Sequence, residues 1–119
     1  MEVEPGGALH LTLYWQARKK MEASYKVFTH LLDAQNRIWG QNDSIPVGGT
    51  YPTTAWLPGE VIVDEYEIPV KLDASPGGCV IEVGMYDAKT MERLPVFDED
   101  GKRLPEDRFL LDRRIGVKE

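Results

Sequence analysis

The chain has 119 residues, of which 42% are hydrophobic, and a formal net charge of −6. This length fits one globular domain, and the hydrophobic content is too high for a disordered chain. No run approaches the roughly 20 apolar residues of a membrane-spanning helix, and the acidic start lacks the apolar centre of a signal peptide. We therefore predict one domain, residues 1–119, without direct membrane insertion. Whether it stands alone or is a piece of a longer membrane protein stays open.

The charge is unevenly distributed along the chain. Residues 41–70 contain five acidic side chains and no lysine or arginine. Such a segment repels a phosphate backbone, and Arg18-Lys19-Lys20 is too short and isolated to reverse this. Nucleic acid is therefore not an expected partner. Cys79 is the only cysteine, which excludes an intrachain disulfide and is compatible with either redox compartment.

Strand signals dominate the first half of the chain. Apolar residues alternate with polar ones from Leu9 to Ala17, which indicates a strand with one buried face. The run 25–32 is apolar on both faces in places, as is typical of a central strand. A turn at 33–36 then leads to a short strand at 37–41. The following residues, 42–60, are rich in Gly, Pro, Ser and Thr and are predicted to form a long loop, and loops of this length are often functional.

The second half continues in the same way. Residues 61–70 alternate, with Val61 and Val63 expected on the face opposite Ile62, Tyr66, Ile68 and Val70. A strand at 79–86, a hairpin turn at 98–102 and a last strand from 109 to 117 follow. No 12-residue window supports a helix. The fold class predicted is all-β, an antiparallel β-sandwich, immunoglobulin-like or related, of about seven strands. Its expected core contains Leu11, Leu13, Trp15, Phe28, Ile81, Val83 and Ile115.

The residues suggest no catalytic apparatus, so we predict that the domain itself is not an enzyme. The three serines lack a Gly-x-Ser-x-Gly elbow, and His10 and His30 are interpreted as ordinary strand residues. No histidine follows Cys79, which excludes a blue-copper pattern, and the ligands are too few for zinc. No cofactor or metal is expected. A small hydrolase with paired carboxylates, for which Asp64 and Glu67 are candidates, remains an alternative.

Aromatic and acidic residues are concentrated in the long loop and the strand after it. Aromatic rings that stack on pyranose rings, next to hydrogen-bonding carboxylates, are typical of sugar sites. An independent carbohydrate-binding module for a neutral or cationic glycan is therefore a second hypothesis. In the alternative that we favour, Trp56 anchors the loop inside the domain. The candidate ligand-binding residues are Asp43, Tyr51, Trp56, Asp64 and Tyr66.

Several ordered motifs carry a family resemblance. They are Tyr25-x-Val27-Phe28-x-His30-Leu31-Leu32-Asp33, Gln41-x-Asp43-x-x-Pro46, Pro52-Thr53-Thr54-x-Trp56-x-Pro58-Gly59-Glu60, Asp64 with Tyr66, Pro76-Gly77-Gly78, Val83-Gly84-Met85-Tyr86-Asp87 and Arg93-Leu94-Pro95. Together they resemble the small β-sandwich module found after the membrane region of bacterial dolichyl-phosphate-mannose mannosyltransferase-like glycosyltransferases. Cys79 departs from the resemblance, because an aromatic residue is expected there.

The resemblance covers residues 5–117 and consists of turns and aromatic residues rather than reactive groups. It implies a non-catalytic accessory domain of an envelope-associated glycosyltransferase, on the extracytoplasmic face of a bacterial membrane. Its partner would be the parent membrane domain or a glycan. The resemblance transfers no catalytic residue to this chain.

Overall fold

A computed structural model describes all 119 residues as strands joined by turns and loops, with no helix of seven residues or more. The strands are β1 Glu2–Val3, β2 Ala8–Gln16, β3 Tyr25–Leu32, β4 Ile38–Gln41, β5 Val61–Pro69, β6 Gly77–Asp87, β7 Phe109–Leu110 and β8 Ile115–Val117. Two single turns of 3-10 helix occur at Thr53–Ala55 and Pro105–Asp107.

The strands form two sheets. The large sheet has the order β1-β8-β6-β3-β4, with β7 also paired to β6, and the small sheet consists of β2 and β5. All named pairs are antiparallel except β1 with β8. The prediction of an all-β fold with two sheets is thus confirmed.

The prediction of one continuous last strand, 109–117, is wrong. It is divided into β7 and β8, which pair with different parts of β6. Between them the amide of Leu111 donates to the carbonyl of Ile81, and the charged run Asp112-Arg113-Arg114 interrupts the apolar alternation. Because this run is exposed, the chain leaves the sheet there and returns to it at Ile115.

The core lies between the inner faces of the two sheets. Inner-face residues Val27 and Leu31 of β3 and Ile81 and Val83 of β6 pack in one cluster with buried residues of the small sheet. In β5 the even-numbered residues from Ile62 to Ile68 are buried and the odd-numbered ones are exposed, as the alternation predicts. Strand β3 is buried on both faces, which is typical of a central strand covered on its two sides.

The sandwich is closed on one side and open on the other. On the closed side β4 approaches the end of β5, where Gly40 pairs with Val70. A Cβ at Gly40 would lie 2.7 Å from the carbonyl oxygen of Pro69, so this corner requires glycine. On the open side β2 pairs with β5 alone, and its other edge has no strand beside it.

The open side explains a partial failure of the predicted core. Phe28, Ile81, Val83 and Ile115 are buried as expected. Leu11, Leu13 and Trp15 of β2 are only half-buried, because β2 is an edge strand with nothing packed beyond it. Phe28 is buried on the outer face of the large sheet rather than in the shared core.

Candidate functional site

The loop 42–60 is fastened to the sandwich through Asp64, whose side chain is fully buried. The indole Nε1 of Trp15 donates to Asp64 Oδ2 at 3.0 Å, the hydroxyl of Tyr66 donates to the same oxygen at 2.7 Å, and the amide of Val47 donates to Oδ1 at 2.7 Å. Charge-assisted hydrogen bonds of this kind are the stronger class. Asp64 therefore holds β2, β5 and the loop together.

A second anchor stands at the other end of the loop. Trp56 is 1% exposed and donates from Nε1 to the carbonyl of Tyr51 at 3.0 Å. The buried hydroxyl of Thr53 donates to the carbonyl of Ala23 at 2.9 Å and accepts the amide of Tyr25 at 3.1 Å. Tyr51 is half-buried, and its hydroxyl donates to Glu60 Oε1 at 2.6 Å.

These contacts correct the glycan-platform hypothesis for this loop. A stacking platform needs an exposed ring, but Trp56 and Tyr66 are buried and Asp64 has no free face. Tyr51 is already bonded to Glu60, and Asp43 lies in a different cluster, with His30. The structure thus places Trp56 as an internal anchor, the alternative that the sequence analysis favours.

The candidate pair of carboxylates, Asp64 and Glu67, is not brought together. The two residues project to opposite faces of β5, Asp64 into the core and Glu67 into solvent. Glu67 instead accepts a hydrogen bond from the exposed His10 at 2.6 Å. No shared cleft lies between these two carboxylates that could hold a glycosidic bond.

Sequence reasoning missed a buried charged cluster around His30, on the outer face of the large sheet. His30 Nδ1 lies 2.7 Å from Glu82 Oε2, and Nε2 lies 3.1 Å from Asp43 Oδ1. Glu82 Oε1 also accepts from Arg108 at 3.1 Å and lies 3.5 Å from Arg93 Nη1. The only sequence signal was a polar residue, His30, within a strand apolar on both faces, and its two hydrogen-bond partners lie 13 and 52 positions away.

The hydrogen bonds set the charge states of this cluster. Burial acts to lower the pKa of His30, but the hydrogen bonds to Asp43 and Glu82 outweigh it and raise that pKa to about 9. Burial acts to raise the pKa of Glu82, and bonds from His30 and Arg108 lower it instead. At neutral pH the cluster therefore contains an imidazolium between two carboxylates.

The outer face carries a second layer of packing above this cluster. The ring of Phe28 lies over Gly84, where a Cβ would stand 2.4 Å from the ring. The guanidinium of Arg93 also stacks on the ring of Phe28, 4.2 Å from the ring centroid, at a typical cation–π distance. The excursion 88–108 between β6 and β7 thus covers part of the outer face.

An open pocket of about 370 Å³ lies beside this layer, here named the polar pocket. Six of its eight lining residues are polar or charged. They are His30, Asn36, Glu82, Arg93, Glu106 and Arg108, with Leu32 and Ile38 as the apolar pair. At its rim Glu106 and Asp107 both have a positive φ, which is strained for residues other than glycine, and the carbonyl of Glu106 accepts from Arg93 at 2.9 Å.

A second cavity of about 470 Å³ lies at the open side of the sandwich, here named the apolar groove. Nine of its eleven lining residues are hydrophobic. Leu13 and Trp15 of β2 form one wall, Val83 and Met85 of β6 the floor, and residues 94–97 with Phe109 and Leu111 the far wall. The groove therefore runs along the free edge of β2.

The chain matches no protein-family model, and searches of curated proteins and of solved structures find no significant match. No group of three or more His, Cys, Asp or Glu side chains is arranged to hold a metal ion. None of the helical segments has the length and apolar character needed to cross a membrane.

Proposed function

We propose that this chain is a non-catalytic accessory domain that binds an extended segment of a partner protein as an added strand. The segment pairs with the free edge of β2 and places its inward side chains in the apolar groove. The incoming strand would extend the small sheet from two strands to three. Main-chain hydrogen bonds give affinity in this mode of recognition, and pockets for alternate side chains give selectivity.

The observation that carries the proposal is the character of β2. Natural edge strands are protected by charged residues, proline, bulges or short length. Strand β2 is nine residues long, contains no Lys, Arg, Asp, Glu or Pro, and pairs with β5 in continuous register without a bulge. Alternate backbone amides and carbonyls of β2 therefore point away from β5 with no partner strand.

The shape of the groove favours a single strand over a second sandwich. Residues 94–97 with Phe109 and Leu111 line the groove opposite β2. A second copy of the domain that paired through its own β2 would bring a large sheet towards this wall. An isolated segment has no such layer, and its inward side chains can fill the groove.

The lining of the groove sets the chemistry of the segment. Because Leu13, Trp15, Val83 and Met85 offer apolar surface, the inward residues of the partner should be apolar. The outward residues meet His10, Thr12 and Tyr14 on the solvent side of β2, which tolerate polar side chains. A segment with period-two alternation and no buried charge fits best.

The wider setting rests on the family resemblance. We propose that the domain is an immunoglobulin-like sandwich attached to an envelope-associated membrane glycosyltransferase, on the extracytoplasmic side, and that the segment belongs to that parent protein. Support comes from the residues of the resemblance, because Trp56, Thr53, Asp64 and Tyr66 are the buried anchors of this fold. The gene sequence upstream of Met1 tests this setting. A multi-span hydrophobic region supports it, and a soluble hydrolase domain contradicts it.

Peptide binding tests strand addition directly. The probe is a nine-residue peptide in which valine and threonine alternate between terminal lysines, measured by calorimetry. We expect saturable binding, and loss of binding when every backbone nitrogen between the lysines is methylated, because the side chains are then kept and the donors removed. Equal binding of both peptides, or of neither, contradicts the proposal.

A matched pair of variants locates the binding surface. Leu13→Lys places a charge in the groove and should weaken peptide binding at least tenfold. Val63→Lys makes the same change in charge on the outer face of β5, where Val63 is 50% exposed, and should leave binding unchanged. An equal effect of the two substitutions would show that the peptide responds to net charge rather than to the edge of β2.

A further inference from the structure

We propose that the polar pocket is a binding site for a singly charged carboxylate on a monosaccharide-sized molecule, of which a uronic acid is the simplest example. The pocket lies on the outer face of the large sheet, whereas the groove lies on the inner side. This inference is therefore independent of the strand-addition proposal.

The first argument is the number of free donors in the pocket. Arg93 makes its hydrogen bonds to Glu82 and to the carbonyl of Glu106 through Nη1 only, and Arg108 uses Nη1 alone for Glu82. A guanidinium offers five donors in a planar fork. No buried polar side-chain atom in the chain lacks a partner, so the remaining donors of the two arginines, both of which line the pocket, are accessible rather than buried.

The second argument is the charge balance. Three cations, His30, Arg93 and Arg108, surround the buried carboxylate of Glu82, and Asp43 neutralises one of them from the far side of the imidazole. Among these five groups one positive charge is left over, in a domain whose net charge is −6, and Glu106 is the one further charged residue of the lining. The carboxylate of Glu106 is exposed at the rim, where solvent screens it.

This balance selects among anions. A carboxylate adds one negative charge and can pair with a guanidinium through two parallel hydrogen bonds. A phosphate monoester carries about 1.5 to 2 negative charges at neutral pH, more than the excess in the pocket. The carboxylate is therefore favoured over the phosphate.

The size of the polar pocket and its polar rim indicate that the rest of the ligand carries hydroxyl groups. A volume of about 370 Å³ lies in the range of sites for small organic ligands and exceeds what a bare ion fills. The exposed amide of Asn36 can donate and accept, and Glu106 can accept, so hydroxyl groups find partners there. Leu32 and Ile38 supply an apolar patch for the C–H face of a sugar ring.

Titration of the protein with three sugars tests the assignment, with amide shifts in two-dimensional NMR as the readout. We expect glucuronate to shift the resonances of residues around Arg93 and Arg108 and to bind at least tenfold more tightly than glucose. Glucose 6-phosphate should bind more weakly than glucuronate. Equal affinity for glucose, tighter binding of the phosphate, or no saturable shift with glucuronate would each overturn the proposal.

Variants connect the binding to the arginines. Arg93→Gln removes a side chain that is one-third exposed, and it should weaken glucuronate binding about tenfold, the value of one charge-assisted hydrogen bond. Arg93→Lys keeps the charge but loses the planar fork of donors. Its affinity for glucuronate should therefore lie between those of the unaltered protein and of Arg93→Gln. Arg113→Gln makes the same change in charge at an exposed position outside the pocket and should bind as the unaltered protein does. Unchanged affinity in Arg93→Gln, with an unchanged melting temperature, would contradict the site.

Discussion

The loop 42–60 and the edge of β2 differ in whether their polar groups have partners within the chain. In the loop, the side chains of Tyr51, Thr53 and Trp56 all bond to other parts of the protein. Along β2, the backbone groups that point away from β5 have no strand to bond to. An aromatic, acidic loop thus serves the stability of the fold, while an inconspicuous strand presents the free binding groups. Backbone groups without a partner are therefore our ground for proposing a binding site at β2, whereas residue type had favoured the loop.

The largest expected effect separates an anchor from a surface residue. Trp56→Ala should lower the free energy of unfolding by about 3–5 kcal/mol, because a fully buried aromatic ring is removed. Tyr14→Ala removes a ring that is 70% exposed and should change it by less than about 0.5 kcal/mol. Denaturant melts of both variants measure the difference. A small loss in Trp56→Ala would return this residue to the list of ligand-binding candidates.

A pair of leucines compares the closed core with the open side. Leu31→Ala, at a position with no exposed surface, should lower the free energy of unfolding by about 3 kcal/mol. Leu13→Ala is the same truncation at the half-buried wall of the groove and should cost about 1 kcal/mol, in proportion to the smaller area buried. Comparable losses would show that β2 is packed as tightly as β3 and that the groove is not open.

The pH dependence of stability reports on the cluster around His30. Its folded pKa of about 9 lies above the unfolded value of 6.5, so its contribution is complete below pH 6.5 and is lost as the pH rises towards 9. We expect the free energy of unfolding to fall by an amount on the order of 2 kcal/mol between pH 6.5 and 9. The folded pKa of Glu82 is lowered, so its contribution is present above the unfolded value and is lost as the pH falls through the folded one.

Two substitutions identify the group responsible for this pH dependence of stability. The titratable and charged groups that face His30 or its partners are Asp43, Glu82, Tyr86, Arg93 and Arg108. The pKa of His30 is raised to about 9, so we assign the loss of stability between pH 6.5 and 9 to this residue. His30→Gln should therefore reduce the change in the free energy of unfolding between pH 6.5 and 9. The hydrogen bond to Glu67 also raises the pKa of His10, but both side chains are exposed and solvent screens the pair, so His10→Gln should change the pH dependence of stability much less than His30→Gln does. If His10→Gln changed the pH dependence of stability more than His30→Gln, the exposed His10 rather than the buried cluster would be responsible for it.

Local patterns predicted much of the fold. The alternation in 61–70 was sufficient to place Ile62, Tyr66 and Ile68 inside, because period two determines which face a residue occupies. The break between β7 and β8 was missed because it depends on where β6 offers pairing groups, which no local pattern encodes.

The sites were harder to predict, since they depend on contacts distant in sequence. The Asp64 anchor joins residues 15, 47 and 66, and the His30 cluster joins residues 43, 82, 93 and 108. Nothing local distinguishes a buried Trp56 from an exposed one, so both alternatives had to remain open. That β2 is an edge follows only from the topology, although its lack of charged residues was visible in the sequence.

Amide hydrogen exchange along β2 tests the central claim most directly. In the free domain, the alternate amides of Ala8–Gln16 that point away from β5 should exchange fast, and the others slowly. Adding the alternating valine–threonine peptide should protect the fast set, while the N-methylated peptide should not. Protection of the fast set confined to the first peptide is the result that strand addition predicts. Fast-exchanging amides that remain unprotected at saturating peptide, or that are already protected in the free domain, would contradict it.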